Sequence, residues 1–81
     1  MRKQHIYDSS FVFQWVLNEF YQKRVVIVSD IVKRFDYEKS TIYRMINKIN
    51  DNLVLIESKF HIVKIKSGCY KMQEVECYTN I

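Results

Sequence analysis

Apolar residues between positions 9 and 22 recur at helical spacing. Placed about 100° apart, Val12, Val16, Phe20, Phe13, Leu17 and Tyr21 share one broad arc, and Gln14, Asn18, Glu19 and Gln22 lie opposite. That is the one-sided pattern of a helix packed on a core. Asp8 or Ser9 stands where its N-cap belongs. Phe11 and Trp15 break the pattern, because they fall among the polar positions. Either the segment His5-Ile6-Tyr7 or the C-terminal tail covers them, or they form a subunit interface, where exposed aromatic residues concentrate.

Lys23-Arg24 closes this helix, and Val25-Val26-Ile27-Val28 follows as a β-branched run of strand length. A short second helix is expected from Ser29, with Ser29 or Asp30 as its cap and Ile31, Val32 and Phe35 as its apolar face. Asp36-Tyr37-Glu38 reads as a tight turn. From Lys39 to about Asn52, the residues Ile42, Met45, Ile46, Ile49 and Leu53 make a clean helical stripe. Ser40, Arg44, Asn47 and Asp51 occupy its other side. Beyond Leu53 the period changes to alternation, with Val63 and Ile65 interleaved among Ile62, Lys64 and Lys66. Ser67-Gly68 supplies turn chemistry, and Cys69 to Val75 returns as a second strand with Tyr70 and Met72 on one face. The order is helix, short strand, short helix, turn, helix, hairpin. It predicts an α+β fold, a small winged helix-turn-helix of three helices plus a C-terminal β-hairpin wing. Residues 1–75 form one such domain and 76–81 a C-terminal tail.

Composition narrows the function. The chain has 81 residues, 48% of them hydrophobic, with one Gly and no Pro, which excludes a disordered or collagen-like chain. Ala is absent too, while Ile, Lys, Asn, Tyr, Phe and Met dominate, all writable in A/T-rich codons. That points to the genome of a low-GC bacterium or of its phages or plasmids. The longest apolar runs are strand-sized, so no membrane span is expected, and the N-terminus lacks a signal-peptide core. A cytoplasmic protein is expected, with Cys69 and Cys77 reduced. Neither their spacing nor His5 and His61 makes a metal pattern. No phosphate loop or catalytic constellation is present, so no enzyme, cofactor or small-molecule ligand is expected.

The net charge of +4, from 13 Lys/Arg against 9 Asp/Glu, suggests a polyanionic partner. In a helix-turn-helix the second helix of the motif lies in the major groove of double-stranded DNA, and its early turns reach base edges. Lys39, Ser40, Tyr43, Arg44 and Asn47 are the expected base contacts. Arg pairs bidentately with guanine and Asn with adenine, so Arg44 and Asn47 carry the most specificity. Singly, each is an ordinary solvated residue; together they share one face at one end. Backbone contacts are expected from Ser29, Thr41, Lys48, Lys64, Lys66 and Lys71. The hairpin lysines, with Lys59, serve equally to keep an edge strand soluble. Ser29 is as readily a cap, Thr41 a partner for local backbone, and Arg2 and Lys3 a minor-groove arm or a loose terminus. One such unit makes few base contacts, so a homodimer on a two-fold site is expected.

The stretch 29–53, SDIVKRFDYEKSTIYRMINKINDNL, resembles the helix-turn-helix of bacterial transcription regulators. It is most similar to the M-protein trans-acting positive regulator (Mga-like) family and to related regulators carrying phosphotransferase-system domains. The matching string is Thr41, Ile42, Arg44, Ile46, Ile49 and Asn50. The resemblance covers about a third of the chain well, and implies transcription regulation with the following hairpin as wing. Glu38 stands where those regulators usually carry a capping serine. They also continue into sensory domains, so this chain is a free-standing regulator or a piece of a longer one. Two alternatives stay open: a winged-helix adaptor that binds protein through Phe11 and Trp15, and an architectural DNA binder in replication or recombination.

Overall fold

In a computed structural model, residues 7–74 are described, and they form α1 (Ser9–Tyr21), β1 (Val26–Ile27), α2 (Val28–Phe35), α3 (Lys39–Leu55), β2 (Phe60–Lys66) and β3 (Cys69–Glu74). The three strands make one antiparallel sheet in the order β1-β3-β2. This is the α+β arrangement that the hydrophobic pattern predicts, three helices with a C-terminal hairpin, and β1 joins the hairpin as a third strand. Val75, the tail 76–81 and the Arg2-Lys3 arm lie outside the described residues.

The core is where the helical stripes meet the sheet. Val12, Val16 and Phe20 of α1, Ile31 and Phe35 of α2, and Ile42, Ile46, Ile49 and Leu53 of α3 are buried, together with Val26, Ile62 and Met72 from the strands. Among the described residues no charged side chain is buried, and the buried positions are aliphatic, aromatic or sulfur-bearing, Tyr37 and Cys69 included. Tyr21 departs from its expected place on the core arc and is 52% exposed. It is the last residue of α1, and the chain turns away immediately after it.

The chain ends its helices without glycine. Lys23, Asp36 and Glu57 follow α1, α2 and α3 at φ 63°, 60° and 57°, left-handed conformations that cost a residue with a Cβ about 1 kcal/mol each. Backbone bonds repay the first and last. Lys23 N–H donates to Phe20 O and Arg24 N–H to Glu19 O, as Glu57 N–H does to Val54 O and Ser58 N–H to Leu53 O. This doubled closure satisfies carbonyls that a helix end leaves open.

The starts differ as well. Asp8 caps α1, its carboxylate accepting from Phe11 N at 3.0 Å. The expected cap of α2 at Ser29 or Asp30 is corrected: the helix begins at Val28, and the cap position is Ile27, with no side-chain bond. The Val28 N–H instead donates to Gly68 O at 2.9 Å, so the hairpin turn takes over part of the cap's work. Strand β1 is correspondingly short, since Val28 is already helical. Glu38 makes no side-chain cap for α3 either, and its carbonyl accepts from Thr41 N and Ile42 N. Helix α3 runs three residues past Asn52, to Leu55.

The aromatic anomaly of α1 has its partner in α2. Phe35 receives Tyr7, Phe11 and Trp15 edge-on, at centroid distances of 5.0, 6.1 and 5.2 Å, the geometry aromatic quadrupoles favour. Tyr7 also stacks on Phe11 at 5.3 Å, and the Arg34 guanidinium lies over Trp15 at 5.1 Å. Tyr7 is held in turn by the buried Tyr37, whose hydroxyl donates to Tyr7 O at 2.6 Å.

Burial of Tyr37, and secondarily the charge of Asp8, raise its pKa from the ordinary 10.0. The folded state therefore holds this proton more tightly than the unfolded chain does. Its contribution to stability is complete below the unfolded value and is lost as pH rises through the folded one. Urea unfolding at about pH 9 and about pH 11 should show a larger loss for the wild type than for Tyr37→Phe, which lacks the titrating group. Equal losses would show that Tyr37 is not the group responsible.

Candidate nucleic-acid interface

Burial fixes the rotation of α3. Ile42, Met45, Ile46, Ile49 and Leu53 face inward at 8% exposure or less, and the helical period then sends Ser40, Arg44, Asn47 and Asp51 outward. All four are exposed, as are Lys39 and Lys48 on the flanks of this face. Thr41 and Tyr43 are half-buried at its margins. Among the described residues, none of Lys39, Arg44, Lys48, Lys64, Lys66 and Lys71 is paired with a carboxylate, the ion pairs there being Arg24–Glu19 at 2.7 Å and Lys59–Glu74 at 3.6 Å.

The hairpin is fastened along one side of α3 at two heights. Low on the helix, Asn50 Oδ1 accepts from the Ile62 backbone N–H at 3.0 Å. Ile62 lies on β2, an edge strand of the sheet, so Asn50 satisfies a donor that no neighbouring strand can reach. Two turns nearer the start, the Tyr43 ring meets Tyr70 of β3 edge-on at 6.3 Å. A Cβ built on Gly68 would stand 3.7 Å from the Tyr43 hydroxyl. The Ser67-Gly68 turn therefore lies beside the first turns of α3, and the Val28–Gly68 bond ties it to the start of α2. Gly68 itself sits at φ 75°, a conformation that glycine adopts without steric cost.

Strand register sorts the lysines. Lys64 lies opposite Tyr70, so it leaves the sheet on the side that carries Tyr70 to α3. Lys71 lies opposite Val63 and projects from the reverse face, away from Tyr70 and Met72. Between Lys64 and Lys66 the register shifts, leaving Ile65 as an extra residue at 48% exposure, and Lys66 pairs with Cys69. The three lysines thus flank the turn but do not share one face. Lys59 stands at the far end of the hairpin with its ammonium 5.7 Å from the Phe60 ring centre, and Lys23 reaches the same ring at 4.4 Å. Ser29 is exposed in the first turn of α2, next to the residue that bonds Gly68.

The structure therefore brings Lys39, Ser40, Arg44, Asn47, Lys64 and Ser29 around the early turns of α3 and the hairpin turn, while Lys66, opposite Cys69, leaves the reverse face with Lys71. Phe11 and Trp15 lie elsewhere, in the aromatic cluster on Phe35. Nothing in the sequence signals that Asn50 joins helix to strand, because the string in which it stands does not reveal a partner twelve residues away. Among the described residues no helix is long and apolar enough to cross a membrane. Comparison with protein-family models, with curated proteins and with solved structures returns no match.

Two outcomes test this arrangement. Removing the Asn50 acceptor leaves the Ile62 N–H without its partner, so Asn50→Ala should lower the free energy of unfolding in urea by about 1–3 kcal/mol. Asn50→Asp, which keeps an acceptor oxygen, should lose less. Tyr43→Ala should speed amide hydrogen exchange across Lys64–Lys71, whereas Tyr43→Phe, which keeps the ring contact, should leave it near the wild-type rate. Unchanged exchange in Tyr43→Ala would mean that the hairpin is held without it.

Proposed function

We propose that this domain binds double-stranded DNA in a sequence-dependent way and acts as a small transcriptional regulator in the cytoplasm. The observation that carries the reading is the outward face of α3. Among the described residues Lys39, Ser40, Arg44 and Asn47 stand exposed and unpaired by carboxylates, beside a hairpin that presents Lys64 on the same side. A major groove about 12 Å wide admits one helix, and this face offers it a guanine reader in Arg44 and an adenine reader in Asn47. Lys39 and Ser40 complete the base contacts. Tyr43 contributes its hydroxyl edge, since Tyr70 holds the ring. Lys48, Lys64, Ser29 and Thr41 take phosphates, and Lys66 and Lys71 reach the backbone only around the edge of the hairpin. The likeness of residues 29–53 to the helix-turn-helix of Mga-like regulators supports the same reading.

Neutralising phosphates releases counterions, so affinity falls with salt at about 0.9 log units per contact and per log unit of salt. Fluorescence anisotropy on labelled random duplex, from about 25 to about 200 mM salt, should give a steep negative slope. Arg44→Ala should bind a selected site more weakly by about 1–3 kcal/mol and discriminate less between bases at one position. A flat salt dependence, or no binding at the lowest salt, would overturn DNA binding. Binding with the expected slope but without preference for any site would instead make the domain an architectural binder.

A further inference from the structure

We infer, resting on the docking of α3 proposed above, that the main-chain N–H of Lys64 takes a phosphate of the DNA backbone and fixes the hairpin's register on it. Strand β2 lies at the edge of the sheet, with β3 as its neighbour. Along such a strand, successive residues turn their N–H and C=O alternately towards the neighbour and away from it. The Ile62 N–H meets Asn50 of α3 rather than a strand. Ile62 is therefore turned outward, and the alternation turns Phe60 and Lys64 outward with it. All three precede the irregularity in register, which begins after Lys64.

Two of these three donors are answered within the chain. Phe60 N–H donates to Ser58 Oγ at 3.0 Å, and Ile62 N–H to Asn50 Oδ1 at 3.0 Å. Among the described residues no acceptor meets the third, on the exposed Lys64. The edge is thus closed at the end away from the hairpin turn and open at Lys64.

Position decides what the open donor takes. Lys64 lies opposite Tyr70, whose ring meets Tyr43 near the start of α3. The donor is therefore level with the early turns of the helix, two residues, or about 7 Å, nearer the hairpin turn than the Asn50 bond. The Lys64 ammonium leaves the sheet on the α3 side, and no carboxylate among the described residues pairs with it. A fixed N–H and a cation from one residue suit a phosphate oxygen. An added strand would need a run of open donors, and Ser58 and Asn50 occupy two of the three. A main-chain donor moves only with its strand, and Asn50 fastens β2 to α3. The bond therefore sets where the duplex lies along α3, which a flexible lysine side chain cannot do alone.

Amide exchange of the full chain, and binding of labelled random duplex by two variants, test the assignment. Without DNA the Lys64 amide should exchange about tenfold faster than the Ile62 amide or more, and duplex should slow it by a similar factor. Lys64→Ala keeps the N–H and loses the charge, so its salt slope should be shallower by about 0.9. Lys64→Pro loses both, at an outward edge position that proline tolerates. It should bind about tenfold more weakly than Lys64→Ala, with the same salt slope, because a neutral donor displaces no counterion. Equal binding by the two variants, with circular dichroism like that of the wild type, would overturn the proposal. So would a Lys64 amide as protected as that of Ile62 in the free protein, a result that needs no variant to fold. Protection that grows with protein concentration before DNA is added would give the edge to a second copy's strand instead. If the wild type binds no duplex at all, the reading of α3 fails and this site with it. If it binds and only the difference between the two variants is missing, the reading of α3 stands and this site alone fails.

Discussion

Everything on the outside of this domain follows from the inward face of α3. Five residues at helical spacing, Ile42, Met45, Ile46, Ile49 and Leu53, are buried against α1, α2 and the hairpin. Each buried aliphatic side chain of this size is worth about 1.5–3 kcal/mol, so turning α3 by even a quarter turn would expose several of them at once. The rotation is thereby locked, and with it the direction of Arg44 and Asn47. Specific reading of a groove requires such a lock, because a base contact depends on an orientation that an exposed side chain cannot set for itself. The exposed residues contribute little to holding α3; they inherit their geometry from the buried ones.

Because periodicity carries this information, α3 was the most legible part of the chain. Its stripe, its outward residues and its start at Lys39 could all be read from spacing. Its end could not. Leu53 is followed by Val54-Leu55-Ile56, a run without glycine or proline to signal termination, and the helix closes at Glu57 through backbone bonds that no residue type announces. The same limit blurred the start of α2. Ser29 and Asp30 are good capping residues, yet the carbonyl of Gly68, forty residues away, binds the first N–H and sets the helix going one residue earlier. Phe11 and Trp15 looked misplaced on α1 for a related reason: a helical wheel compares a helix with one core, and these two face a second contact, Phe35. Local pattern therefore defined the elements, while the contacts between elements set their ends and their joints.

Those joints make the hairpin and α3 one body. Asn50 holds β2 in the second half of the helix, Tyr43 meets β3 near its start, and Gly68 is bonded to the first residue of α2. A hairpin that swung freely would have to lose that freedom on meeting a ligand, at about 0.5–1.5 kcal/mol for each ordered side chain and more for the backbone. Here the ordering is done on folding. The same anchoring restricts what the hairpin can do. Its turn is only Ser67-Gly68, drawn in against α2 and α3, so it lies along the early turns of α3 rather than reaching far past them. Contact with phosphates beside the helix suits that geometry better than deep insertion into a neighbouring groove.

The distribution of charge along α3 gives the helix two ends of different character. Cations in the early turns favour a polyanion, and the apolar last turn next to Asp51 and Glu57 does not. Had the lysines and arginine been spread evenly over the helix, a duplex could have lain along its whole length, with Val54 and Leu55 pressed against phosphates. On the proposed reading, the separation confines nucleic-acid contact to the first three turns and the adjoining hairpin. The carbonyl end of the helix, next to Asp51 and Glu57, is one that phosphate avoids on electrostatic grounds. A net charge of +4 describes neither end. What matters is that the positive residues of α3 stop at Lys48, before its exposed apolar ones begin.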